Sequence, residues 1–170
     1  MIVYVPAGPA EALRLRDGGE LPARRGFAVT PSLLEAAGFS PKETEDAGYT
    51  ALSHAGVQAL LDRVADAEPI ERRLIIAAEP KSIKDLADPY GAVEVTGLRW
   101  KDVLALYDDE PEAGSAVRKA AAAVSPGESV ADALSRPEVD VLLQDHDLLW
   151  YDPSELDRLG RSGDQSPRAR

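Results

Sequence analysis

The sequence predicts an α+β fold: a mixed sheet of five or six short strands, opened by a β-α-β unit, with helices packed on it. Three observations lead there. Short β-branched or aromatic runs recur between glycine and proline punctuation. One long stretch, Thr44 to Asp66, carries apolar residues near helical spacing with charges between them. Finally, Leu74-Ile75-Ile76-Ala77-Ala78 is apolar without alternation, the pattern of a central strand covered on both faces.

Taken in order, Ile2-Val3-Tyr4-Val5 is a first strand, stopped by Pro6, Gly8 and Pro9. Glu11 to Arg16 forms a short helix closed by Gly18-Gly19, and Phe27-Ala28-Val29 is the second strand. Thr30 then caps a helix whose first position is Pro31, where the missing N–H costs no helical bond, and Gly38 ends it. The long helix follows and is expected to lie across the sheet. After the central strand, Ala92 to Thr96 alternates and reads as half exposed. Val103 to Tyr107 is expected beside it as an antiparallel neighbour. Glu112 to Val124 is alanine-rich and helical by propensity, Pro126-Gly127 breaks it, and Ser129 to Ser135 adds a turn or two. Leu148-Leu149-Trp150-Tyr151 is the last strand, and Asp152-Pro153-Ser154-Glu155 carries a capping box for a helix reaching Leu159.

Residues 1–160 are expected to form one acidic domain, and residues 161–170 have the composition of a disordered tail. The formal charge is −11; the tail contributes three arginines and one aspartate, which leaves −13 on the body. Such a body repels a duplex or an anionic bilayer, so neither direct nucleic-acid binding nor membrane binding is expected. Zero cysteines removes disulfides, thiolate catalysis and cysteine-type metal sites. With no apolar run near the length of a membrane span and no export signal, the expected location is cytoplasmic.

Three stretches, Val3-Tyr4-Val5-Pro6-Ala7, Phe27-Ala28-Val29-Thr30-Pro31 and Asp145-His146-Asp147-Leu148-Leu149-Trp150-Tyr151-Asp152, carry a family likeness. Together the chain resembles a family of small uncharacterised actinobacterial cytosolic proteins. The resemblance spans nearly the whole body and implies a bacterial, stand-alone domain. It supplies no activity, substrate or catalytic residue.

Two clusters are candidate sites. Around His146, the carboxylates of Asp145, Asp147 and Asp152 are candidates to tune a general base, although an extended segment points 145 and 147 away from 146. The bland reading is a polar lead-in to a strand. Asp108-Asp109-Glu110 ends a strand and offers oxygen ligands to a hard cation such as Mg²⁺, with Glu79 and Asp152 as further carboxylates; a solvated acidic turn is the competing view. His54 reads as a partly covered surface residue of the long helix. Arg24-Arg25 and Arg72-Arg73 precede strands while Thr30, Glu79 and Asp152 follow them, so parallel orientation of those strands would gather bases at one end and acids at the other. No dinucleotide, P-loop or nucleophile-elbow string is present.

With no convergent nucleophile, base and donor, the reading favoured is a non-catalytic protein-interaction or regulatory module, without a cofactor, whose partner is a protein with a basic surface. The alternatives are a small metal-dependent hydrolase built on Asp108, Asp109, His146 and Asp152 around Mg²⁺, and an acidic inhibitor that imitates nucleic acid.

Overall fold

A computed structural model describes residues 1–159; the expected tail lies outside them. The strands are β1 (Val3–Pro6), β2 (Arg24–Phe27), β3 (Leu74–Ala78), β4 (Ser82–Asp85), β5 (Ala92–Thr96), β6 (Val103–Asp109) and β7 (Leu148–Tyr151). The helices are α1 (Pro9–Arg16), α2 (Pro31–Ala37), α3 (Thr44–Ala65), α4 (Gly114–Ala123), α5 (Val130–Leu134), α6 (Pro137–Asp145) and α7 (Leu156–Leu159), with 3₁₀ turns before β6, α4 and α7.

The α+β class and the β1-α1-β2 start stand as expected. The sheet itself differs from the expectation: it has seven strands in the order β4-β5-β2-β1-β3-β6-β7, and every neighbouring pair is antiparallel. β5 and β6 are not neighbours. β5 pairs with β2 and β4, whereas β6 pairs with β3 and β7. The second strand starts three residues earlier than Phe27, because Arg24 and Arg25 pair with Val95 and Glu94.

Helices cover both faces. On one, α3 crosses the middle of the sheet and packs Ala51, Ala55, Val57 and Leu60 with Phe27 and Ile75. The small side chains of Ala51 and Ala55 let the helix backbone approach closely, and α4, α5 and α6 extend the layer. On the other face, α1 and α7 bring Ala12, Leu15, Leu156 and Leu159 against Val3, Val5, Ile76 and Leu106. β3 is buried along its whole length, as its unbroken apolar run requires.

Local signals operate where they are expected. The Thr30 hydroxyl accepts from Leu33 N–H at 3.2 Å, and Gly38 closes α2 with φ 73°. The Asp152 carboxylate accepts from Ser154 N–H, and Glu155 reaches back to the Asp152 N–H, each at 2.9 Å. Gly26 in β2 leaves room for the Val3 side chain of β1: an added Cβ would lie 2.6 Å from Val3 Cγ1.

Candidate functional site: an aromatic groove beside two ion pairs

The acidic strand end is resolved by the antiparallel ladder. Because β3 and β6 run in opposite directions, the end of β6 lies beside the start of β3, so Asp108 and Asp109 meet Arg72 and Arg73. Alternation then sends successive residues to opposite faces. Asp109 turns under α3 and accepts three bonds from Arg73: Nε at 2.8 Å, Nη2 at 2.6 Å and the backbone N–H at 2.8 Å. The pair is sealed, with Arg73 1% and Asp109 0% exposed. Gly56 makes room for it, since a Cβ there would stand 3.1 Å from Arg73 Nη1.

Asp108 turns to the opposite face and pairs with Arg72. Burial pushes its carboxyl up to about 6, against the pull of the Arg72 guanidinium. Arg72 Nε is buried without a partner, beside a hollow of about 250 Å³ lined by Pro9, Arg63, Pro69, Leu74 and Leu159.

Glu110 pairs with neither arginine: its Oε1 lies 2.7 Å from His146 Nδ1. The expected metal cluster is therefore distributed among separate contacts, and among the described residues no three His, Asp or Glu side chains converge on one point. Asp145, at the end of α6, and Asp147, before β7, are exposed on either side of His146; its hydrogen-bonding carboxylate is Glu110 instead. Asp152 sits at the far end of β7 as a helix cap, and the Ser154 amide holds its carboxyl below the usual range. Glu79 lies at that same far end, after β3.

β2, β3 and β7 do run the same way, as the orientation reading requires. Arg24, Arg72 and Arg73 share the end where they start. That end is not basic in net terms, because β6 delivers Asp108, Asp109 and Glu110 to it. His54 is partly covered, as read: Nδ1 donates to the Tyr90 carbonyl at 2.8 Å, and burial lowers its pKa.

Beyond the ion pairs, on the α3 side, lies a feature that sequence reasoning missed. Tyr4, Tyr107 and Trp150 project from β1, β6 and β7 onto one face, Tyr107 directly opposite Trp150 and edge-on to Tyr4 with ring centroids 6.1 Å apart. Tyr49 of α3, 65% exposed, lines the same hollows as Tyr4 and Tyr107, and Trp150 lies beside them on the sheet, 59% exposed. Two hollows of about 540 and 590 Å³ share Tyr49, Leu52 and Tyr107 and make one groove. One end reaches Arg73, His146 and Asp147, and the other reaches Ile2, Thr44 and Glu45. Burial raises the Tyr4 and Tyr107 phenols, so both keep their protons at neutral pH. The guanidinium in this lining is that of Arg73, already engaged by Asp109, while Glu45 and Asp147 stand at the rim. The sequence signal was the phase of Tyr4, Tyr107 and Trp150 within their strands, which means nothing until the strand order is known.

A family model described as a family of unknown function, DUF6912, matches residues 1–159. The chain belongs to that family. The match spans both candidate clusters and every residue of the groove, so the aromatic surface lies inside the family's own domain rather than on an appendage. Searches of curated proteins and of solved structures each return no match. Among the described residues no helix is long and apolar enough to cross a membrane.

Proposed function

We propose that this DUF6912 domain is a non-catalytic protein-recognition module that works in the cytoplasm. Its docking surface is the groove lined by Tyr4, Tyr49 and Tyr107 together with the exposed Trp150 beside it, and its partner is a protein segment carrying lysine or arginine. The observation that carries this reading is the exposure of Tyr49 and Trp150, 65% and 59%, on a body whose charge is −13. Aromatic rings are the residues that supply large contact area at recognition surfaces. Their faces attract ammonium and guanidinium groups by roughly 0.5–2 kcal/mol each. The surrounding negative field raises the encounter rate with a basic segment and rejects acidic ones.

Trp150 reports on its own occupancy. In a Trp100→Phe background it is the remaining tryptophan of the chain, and titration with Arg- and Lys-containing peptides is expected to change its fluorescence. Binding should weaken at least about tenfold on Tyr49→Ser and again with added salt. Equal affinity of the wild type and Tyr49→Ser for such peptides would remove the groove from the function.

A further inference from the structure

The two edges of the sheet are unequal. β4 is guarded in the usual way, with exposed Lys84 and Asp85 in a four-residue strand. β7 is Leu148-Leu149-Trp150-Tyr151, with neither a charge nor a proline in it, and among the described residues no strand pairs with its outer side.

The direction of its free backbone groups follows from the ladder. Ala7 N–H donates to the Leu74 carbonyl, so Leu74 and Ile76 turn their peptide groups to β1, and Ile75 turns its own to Tyr107 of β6. Leu106 and Asp108 therefore face β7 and bond Tyr151 and Leu149. The N–H and C=O groups of Leu148 and Trp150 point outward, away from the sheet. These are also the two residues of β7 whose side chains lie on the α3 face of the sheet, Leu148 in the groove lining and Trp150 next to Tyr107.

We infer that the partner segment binds as an added eighth strand along β7, extended, with apolar residues in its middle and lysine or arginine at its ends. This rests on the recognition reading above and specifies how the partner is held. The middle is set by Leu148 and Trp150, which would flank the incoming side chains about 5 Å away on the groove side. The ends are set by charge: Asp147 and Asp152 bracket β7, both exposed, and the Ser154 amide keeps the Asp152 carboxylate ionised. A second copy of the chain is a poor occupant, because it brings the same two aspartates and another body of charge −13 to the edge.

The probe is a short synthetic peptide of alternating threonine and valine with two lysines at each end. It is compared with a version ending in glutamates, and with versions N-methylated on alternate amides in each of the two phases. The lysine peptide should slow hydrogen exchange at the Leu148 and Trp150 amides by at least about tenfold, leaving Leu149 and Tyr151, already bonded to β6, unchanged. Methylation in one phase should weaken binding by at least about tenfold and in the other far less; the glutamate peptide should bind more weakly than either.

A lysine peptide that perturbs Trp150 fluorescence with no protection at Leu148 or Trp150, and that is indifferent to methylation phase, overturns strand addition while leaving the groove reading intact. Equal binding of the lysine and glutamate peptides overturns the charged ends. A concentration-dependent dimer in sedimentation, lost on Trp150→Lys, assigns the edge to a second copy and overturns the proposal. Failure of every peptide also overturns it, whereas the groove reading is decided by Tyr49→Ser.

Discussion

Arg72–Asp108 and Arg73–Asp109 join the residues just before β3 to neighbouring residues at the end of β6 and are made of the same two side chains, yet they behave as different devices. What separates them is the layer packed above. α3, opened by Gly56, seals Arg73–Asp109 and leaves the carboxylate with three donors. On the reverse side Arg72–Asp108 borders a hollow between Pro9 of α1 and Leu159 of α7, with the buried Arg72 Nε unbonded and the carboxyl pushed up to about 6. Identical chemistry thus yields a fixed clamp between β3 and β6 where donors are complete, and a titrating pair where they are not.

The sharpest way to break this contrast is Asp109→Ala, which strands the Arg73 guanidinium in the core. It should cost about 3–5 kcal/mol in urea unfolding at neutral pH. A loss below about 1 kcal/mol would mean that the clamp is not what holds the two strands in register.

Asp108 tests the other half. Its folded carboxyl titrates near 6 against an ordinary 3.8, so the native state binds the proton more tightly than the unfolded chain. Its contribution is fully present below the ordinary value and fades as pH rises through about 6. Between pH 4 and pH 7 the wild type should therefore lose roughly 2–3 kcal/mol relative to Asp108→Asn, read from unfolding curves at both pH values. A gap that does not change with pH would make the two pairs equivalent.

Gly56→Ala sharpens the comparison from the helix side. Alanine favours a helix by about 0.8–1 kcal/mol over glycine. Crowding of Arg73 Nη1 at 3.1 Å should outweigh that gain and leave a net loss of about 1 kcal/mol. The smallest effect belongs to Trp150→Ala: with the indole 59% exposed, stability should move by no more than about 0.5 kcal/mol, while peptide binding falls.

How far the sequence could be read follows the range of each interaction. Caps, breakers and the apolar Leu74–Ala78 run act within a few residues, and Thr30, Gly38 and Asp152 do what their neighbours imply. β4 was missed because Ser82-Ile83-Lys84-Asp85 holds one apolar residue, the composition of an edge rather than of a core strand. α6 was missed because its cap position is Arg136, which offers no side-chain acceptor, so Pro137 in the first turn lacks the capping residue that marks Pro31 and Pro153 as helix starts. Strand order is a long-range property, and β5 and β6 were joined on proximity alone. The same gap hid the site. The acidic triplet and the Arg72-Arg73 pair were both visible, but only an antiparallel β3–β6 ladder turns the close of one strand into the start of the other.

The position of β1 in the middle of the sheet also shapes how the protein is made. Tyr4 pairs with Ala77, about seventy residues later, so one side of the innermost strand stays open for several seconds at a synthesis rate of roughly 5–20 residues per second. β6 and then β7 can join only after that, which makes the tryptophan-bearing edge the last piece of sheet to be laid down on the nascent chain. Refolding of the finished chain should accordingly be slow for its size, in the millisecond-to-second range of domains ruled by distant strand pairing.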